Sequence, residues 1–231
     1  MLNCQKKDFN LEKGVTYLNC GYMSPMHAKV EEAGINGILM KRNPHKVVPA
    51  DFFSDVTALK DEFARIINTA TPERIAIVPS VSYGMANVAN NLGLQKGDQI
   101  VLLEGQFPSN FYPWSAAAEK SGAEIISIPR QDTGSAWNEM LLDAIDDRVK
   151  LVALPNTHWA DGTVFDLEAV RKKTREHGAL MVIDGTQSVG ALPFDMKKIQ
   201  ADAVVCAGYK CLMGPYSIGL AYYGEAFDNG T

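Results

Sequence analysis

The sequence of 231 residues lacks the patterns that identify several common classes of protein. It has four cysteines, Cys4, Cys20, Cys206 and Cys211, with no CxxC pair and no histidine at zinc-ligand spacing. Neither a disulfide framework nor a zinc site is therefore predicted. No GxGxxG or GK[ST] loop occurs, which argues against a dinucleotide site of the Rossmann type and against a P-loop.

Charge and hydropathy exclude further classes. The net charge of −5 argues against nucleic acid or an anionic membrane surface as a partner. The apolar runs, such as residues 179–183, are too short to span a bilayer, and the first ten residues contain no apolar core of a secretory signal. We expect a cytoplasmic protein with reduced thiols, whose 46% of hydrophobic residues suffice for a sizeable core.

Short apolar runs alternate with helix-length segments from about residue 72 onward. Their continuous rather than alternating apolarity favours strands covered on both faces, hence a mostly parallel sheet flanked by helices in an α/β fold. The last run follows its predecessor too closely for a parallel crossover, so we expect an antiparallel pair there. The predicted strands are RIAIV (74–78), QIVLL (99–103), EIISI (124–128), KLVALP (150–155), LMVID (180–184), AVVCA (203–207) and SIGLAYY (217–223).

The first 70 residues differ from the rest. They contain a short apolar piece at 15–21 and two helical patterns, at about 26–41 and 50–68. We interpret residues 1–70 as a helical arm packed on an α/β domain of residues 71–231.

Ligands of open α/β sheets bind at the carboxyl ends of strands, and two of these ends carry weak signals. Ser80 and Ser82 stand between the first strand and a helix, whose N-terminus suits a phosphate; taken alone, the segment is better explained by an ordinary serine N-cap. Phe107 follows the second strand and would cover a planar ligand, although an aromatic at the edge of a core is commoner.

Two further strand ends carry charged groups. Asp184 ends a strongly apolar strand, where a carboxylate is costly unless it is paired, either by a cationic ligand nitrogen or by the helix terminus that follows. Gln187 stands three residues on, placed to donate to the same ligand. Lys210 follows another buried strand, where it is suited to act as a neutral nucleophile, unless it extends to solvent.

Together these four strand ends supply the groups that pyridoxal 5′-phosphate (PLP) requires: a phosphate site, a stacking aromatic, an acid and a lysine. At this point the sequence resembles the class V aminotransferase family of fold-type I PLP enzymes, which includes cysteine desulfurases, selenocysteine lyases, isopenicillin-N epimerases and kynureninases. The motifs that carry this resemblance, from about Tyr17 to the C-terminus, are YLNCGYMSPM, PSVSYGMANVAN, VIDGTQSVGALPFDM and DAVVCAGYKCLMGPYSIGLAYY.

The resemblance implies a fold-type I large domain and assigns roles to individual residues. Lys210 would form the Schiff base with the cofactor aldehyde, and Asp184 would pair with the pyridine nitrogen. Gln187 would bond the phenolic oxygen of the cofactor. Backbone groups of Val81 and Ser82, with the Ser82 hydroxyl, would hold the phosphate.

Other positions match the family less evenly. Tyr209 occupies the place of a phosphate-contacting histidine or tyrosine. Phe107 stands where desulfurases stack a histidine on the ring; a phenylalanine there resembles kynureninases, whereas Gln187 resembles desulfurases. The loop that usually carries an asparagine near the ring has His158 and Trp159 instead. For His158 we predict a substrate-facing or supporting role, with a plain loop histidine beside a core tryptophan as the alternative.

The resemblance implies an amino-acid substrate, a homodimer and a PLP-dependent aminotransferase, desulfurase or lyase, or epimerase. Family members continue with a small C-terminal domain that we do not find in this sequence. The alternative is therefore a truncated, non-catalytic chain that retains the fold. A flavodoxin-like or dehydrogenase domain with an incidental lysine is disfavoured, because it lacks its glycine fingerprint.

Overall fold

A computed structural model describes residues 3–230. Its strands are β1 Ile75–Val78, β2 Gln99–Leu103, β3 Glu124–Ile128, β4 Val149–Pro155, β5 Leu180–Asp184, β6 Ala203–Ala207 and β7 Gly219–Tyr223. Its α-helices are α1 Ala28–Met40, α2 Ser54–Ile67, α3 Val81–Asn90, α4 Tyr112–Ser121, α5 Gly134–Asp143, α6 Leu167–Glu176 and α7 Met196–Ile199. The seven predicted strands and the two predicted N-terminal helices are confirmed, with ends shifted by a few residues.

The strands form one sheet in the order β1-β7-β6-β5-β4-β2-β3. The pairs β2–β3, β2–β4, β4–β5 and β5–β6 are parallel. Strand β7 is antiparallel to β6, as the short connection predicts, and it is also antiparallel to β1. Strand β1 therefore runs in the same direction as β6, and the carboxyl ends of β1, β2, β4, β5 and β6 lie at one edge of the sheet.

Helices cover both faces of this sheet, which explains why its strands are apolar at successive positions. On one face α3 and α4 bury Met85 and Trp114 against the strands. On the other, α2 and α5 contribute Phe63 and Trp137 to a second core that also includes α6 and α7. The predicted α/β architecture, a mostly parallel sheet flanked by helices, is confirmed.

The two N-terminal helices differ in how they are packed. Helix α2 buries Phe63 and Ile67, whereas α1 has no buried residue and exposes Ile35 and Ile38. The division of the chain at residue 70 stays a prediction. Within the described residues, no helix is both long and apolar enough to cross a membrane.

Helix α3 approaches the sheet closely at Gly84. A Cβ placed there would lie 2.7 Å from Cγ1 of Val205 on β6, closer than carbon atoms pack. Gly84 therefore allows α3 to pack close to β6 near the edge of the sheet where this helix begins.

We expect Gly84→Ala to lower the free energy of unfolding by about 1–2 kcal/mol, because overpacking at Val205 outweighs the gain in helix propensity. Gly34→Ala in α1 is the matched control, since a Cβ there meets nothing within 4 Å, and it should be neutral or slightly stabilising. Urea denaturation of both variants measures the difference. Equal stability of the two variants would contradict the close contact.

Candidate active site

A cavity of about 210 Å³ opens at the carboxyl edge of the sheet. The segments that follow β1, β2, β4, β5 and β6 all contribute to its wall. It brings together seven of the eight sequence-predicted site residues, namely Val81, Ser82, Phe107, Asp184, Gln187, Tyr209 and Lys210.

Asp184 is the carboxylate of this cavity. The residue is 7% exposed, and its Oδ1 accepts a hydrogen bond of 3.0 Å from the Thr186 backbone N–H. The Thr186 hydroxyl in turn accepts the Ala207 N–H, which ties the end of β5 to the end of β6. Burial raises the pKa of the Asp184 carboxyl, although the Thr186 hydrogen bonds and the positive charge of Lys210 oppose that rise. A cationic group that enters the cavity would stabilise the ionised carboxylate.

Lys210 is only 5% exposed and shares the cavity with Asp184. Burial lowers the pKa of its ammonium group, and the charge of Asp184 opposes the effect. Its Nζ lies 5.1 Å from the centre of the Phe107 ring, a cation–π contact. A lysine in this setting reaches the neutral, nucleophilic form more readily than a surface lysine does. Snorkelling to solvent, the alternative from sequence, does not occur here.

Aromatic rings form one side of the cavity. Phe107 meets Trp159 edge to face, with ring centroids 5.6 Å apart, and the Trp159 indole N–H donates to the Gly105 carbonyl at 2.7 Å. Tyr209 packs against Tyr216 with centroids 4.5 Å apart. The Lys210 Nζ lies over the face of the Phe107 ring.

The N-terminus of α3 also lines the cavity. Ser80 is the N-cap, and its side chain accepts the Tyr83 N–H at 3.1 Å, so the N-cap interpretation is confirmed. The same helix terminus lines the cavity with Val81 and Ser82, whose backbone N–H groups have no acceptor within the helix. The N-cap does not occupy these N–H groups, so a phosphate site at this helix terminus stays a prediction.

Two site residues also hold the N-terminal segment. The Gln187 side-chain amide donates to the Gly21 carbonyl at 3.1 Å. The Tyr209 carbonyl accepts both the backbone N–H and the hydroxyl of Ser24. These bonds place residues 21–24 at the rim of the cavity.

His158 is the one predicted site residue that does not line the cavity. It is 3% exposed, packs on Trp137 at 5.0 Å, and its Nδ1 lies 3.4 Å from Asp161 Oδ1. Neither ring nitrogen has a hydrogen-bond partner among the described residues. Its neighbour Trp159 reaches the cavity instead, and a catalytic role for His158 stays a prediction.

Sequence reasoning missed several cavity residues. Thr157, Ser109 and Tyr216 line the wall, and the Thr157 Oγ1 is buried without a partner. All three lie in the segments between a strand and the next regular element, where no periodicity indicates which way a side chain points. Thr157 follows the end of β4 directly, which is the signal that could have found it; Ser109 and Tyr216 lie further from their strand ends, and no such signal marks them.

The donor set suits a planar ligand with an anionic group at the α3 end and a basic nitrogen at the Asp184 end. Among residues 3–230 no cluster of three or more histidine, cysteine or carboxylate side chains could hold a metal ion.

We expect Asp184→Asn to raise the melting temperature of the ligand-free protein by a few degrees at about pH 7. The raised pKa means that the folded state favours the protonated carboxyl. The free energy of unfolding therefore falls as pH rises above the carboxyl's unfolded pKa, and an amide escapes this cost.

Melting curves of wild type and Asp184→Asn over a series of pH values measure the effect, with the exposed Asp132→Asn as control. The two melting temperatures should converge below about pH 4, where the unfolded carboxyl is also protonated. A gap that does not change with pH, or a less stable amide variant, would contradict the role of burial.

Comparison with known proteins places the chain in a family. Residues 40–229 match the family model described as aminotransferase class-V. Cysteine desulfurases of Salmonella strains, including Salmonella newport, are 32% identical over 171 residues, which are 73% of this chain and 42% of the relative. The chain thus spans less than half the length of these relatives.

Solved structures share the fold. An apo cysteine desulfurase from Thermococcus onnurineus superposes with a TM-score of 0.82 at 27% identity, covering 97% of this chain and 57% of that chain. C-DES, in a form with glycine covalently linked to its PLP cofactor, gives a TM-score of 0.85 at 22% identity, covering 99% of this chain and 61% of that chain. On the family match, this chain belongs to the class V aminotransferase family.

Proposed function

We propose that the cavity binds PLP and that the protein acts on an amino-acid substrate. One observation carries the proposal: Asp184 and Lys210 are buried in a single cavity that the N-terminus of α3 also lines. A phosphate at that helix terminus and a pyridine nitrogen at Asp184 would together satisfy groups that are otherwise costly to bury. The PLP cofactor of C-DES, a protein of the same fold, to which glycine is covalently linked in that structure, supports the choice of cofactor.

PLP supplies an aldehyde and a ring that accepts electrons when it is bound. Lys210, with its lowered pKa, would hold the aldehyde and then move the substrate's α-proton as general base. Asp184 would hold a proton on the pyridine nitrogen. Phe107 would cover the ring face, in the space that the Lys210 Nζ now contacts.

The remaining contacts would orient the cofactor. Val81, Ser82 and Tyr209 would bind the phosphate. Gln187 would donate its side-chain amide to the phenolic oxygen of the cofactor. To do so, the amide has to give up its hydrogen bond to the Gly21 carbonyl. His158 is buried with its ring centroid 6.5 Å from that of Trp159, and from there it would support the aromatic wall.

The reaction class is open among transamination, β-elimination or desulfuration, and epimerisation. The Salmonella relatives are named cysteine desulfurases, which makes cysteine the first substrate to test. The alternative is a chain that keeps the fold without turnover. The chain spans only 42% of those relatives, so turnover has to be measured separately from cofactor binding.

We further propose a cytoplasmic homodimer. Helix α1 exposes Ile35, Ile38 and Met40, an apolar surface that association would cover. The described cysteines are all free, as expected in a reducing compartment.

We expect the purified protein to develop a visible absorption band with added PLP, and borohydride to fix the cofactor on Lys210. Lys210→Ala should lose both the band and the label, whereas Lys172→Ala, at an exposed lysine of α6, should keep them. Absorption spectra and peptide mapping of the reduced protein measure the result. A label spread over surface lysines would overturn the proposal.

Turnover is measured on the PLP-loaded protein with cysteine and a panel of other amino acids. Product formation that is lost in Lys210→Ala supports catalysis. A stable band on Lys210 with no product from any amino acid would support the non-catalytic alternative.

A further inference from the structure

We propose that the Ser109 hydroxyl is a second phosphate-binding hydroxyl of the cavity, paired with that of Ser82. This inference rests on the proposed binding of PLP and extends it to a residue that neither the family motifs nor the sequence pattern indicated. Ser109 lines the cavity, and its Oγ accepts a hydrogen bond of 2.8 Å from the Ser82 Oγ. Two hydroxyls thus stand side by side at the N-terminus of α3.

The turn that carries Ser109 is firmly held. Residues Pro108–Asn110 form one turn of 3₁₀ helix, in which the Asn110 N–H donates to the Phe107 carbonyl at 2.8 Å. Asn110 is fully buried, and its Oδ1 accepts the indole N–H of the equally buried Trp114. Proline restricts the first position of the turn. The Ser109 hydroxyl therefore has a defined place beside Ser82 before any ligand arrives.

The hydrogen atoms available at this end favour an anion. The Ser82 hydroxyl donates to Ser109, so the proton of the Ser109 hydroxyl remains to be donated. The Ser80 oxygen is already used as the helix cap. The Ser109 hydroxyl and the backbone N–H groups at the start of α3 are therefore free to donate to a ligand, and the Ser82 hydroxyl would join them once its proton turned from Ser109 to that ligand.

The surrounding charges also favour an anion. Asp184 is the one carboxylate residue in the described lining of the cavity, and it belongs to the end that receives the pyridine nitrogen. A phosphate beside Ser82 and Ser109 would meet donors and the positive end of the helix dipole.

The position of Ser109 links two parts of the ligand. Ser109 stands two residues after Phe107, in the turn whose first hydrogen bond is made by the Phe107 carbonyl. A phosphate bound to Ser109 would therefore also restrain the ring that covers the pyridine. The pair would be selective for a ligand in which phosphate and aromatic ring are joined.

The test compares PLP with pyridoxal, the same ring without the phosphate. Both are titrated into wild type, Ser109→Ala, Ser109→Thr and the distant, exposed Ser135→Ala, and binding is followed by the quenching of tryptophan fluorescence. Ser109→Ala should raise the Kd of PLP roughly tenfold, because a hydrogen bond to a charged group is lost. The same variant should leave the Kd of pyridoxal unchanged within about twofold. Ser109→Thr keeps the hydroxyl and should restore most of the PLP affinity, and Ser135→Ala should match wild type.

The other outcomes are distinguishable. If Ser109→Ala raises the Kd of PLP and of pyridoxal by the same factor, the hydroxyl pair only holds the turn against α3, and the inference is wrong. If Ser109→Ala binds PLP as wild type does, Ser109 is no phosphate ligand. If wild type binds neither compound, the proposed function fails first and this inference fails with it. Thermal melting of each variant establishes that it is folded.

Discussion

The arrangement of the cavity depends on burying an acid and a base at the same edge of one sheet. Asp184 ends β5, and Lys210 follows the neighbouring strand β6, with Asp184 paired in register with Val205. Burial raises the pKa of Asp184 and lowers that of Lys210, so that it favours the neutral form of each group. The attraction between the two charges opposes both shifts. A ligand that offers a basic nitrogen to one group and a carbonyl to the other would relieve both costs. The rest of the fold keeps these two side chains in place and out of water.

The loop after β6 shows how Lys210 is held. The Gly208 N–H donates to the Ile218 carbonyl, and the Gly214 N–H donates to the Gly208 carbonyl, both at 2.8 Å. A Cβ at Gly208 would lie 2.8 Å from the Ile218 oxygen, so only glycine permits the loop to close this tightly against the start of β7. Strand β7, which lies antiparallel between β6 and β1, therefore supports the site, because the residue before it accepts the hydrogen bond that holds the loop carrying Lys210.

The sequence predicts the sheet well and the walls of the cavity less well. Runs such as QIVLL and LMVID are apolar at successive positions because both faces of the sheet are covered. This pattern can be recognised in the sequence without any knowledge of the fold. Asp184 and Lys210 could be found because a charge at the end of such a run needs an explanation. The orientation of His158, Trp159 and Ser109 could not be predicted, since hydrogen bonds such as that of Trp159 to the Gly105 carbonyl join loops distant in sequence.

The most direct test of this account is the ¹⁵N chemical shift of the pyridine nitrogen in ¹⁵N-labelled PLP bound to the protein. We expect a protonated nitrogen at neutral pH in wild type, because the buried Asp184 carboxylate needs a cationic partner, and a neutral nitrogen in Asp184→Asn. A neutral nitrogen in wild type, or a signal identical to that of free PLP, would contradict it.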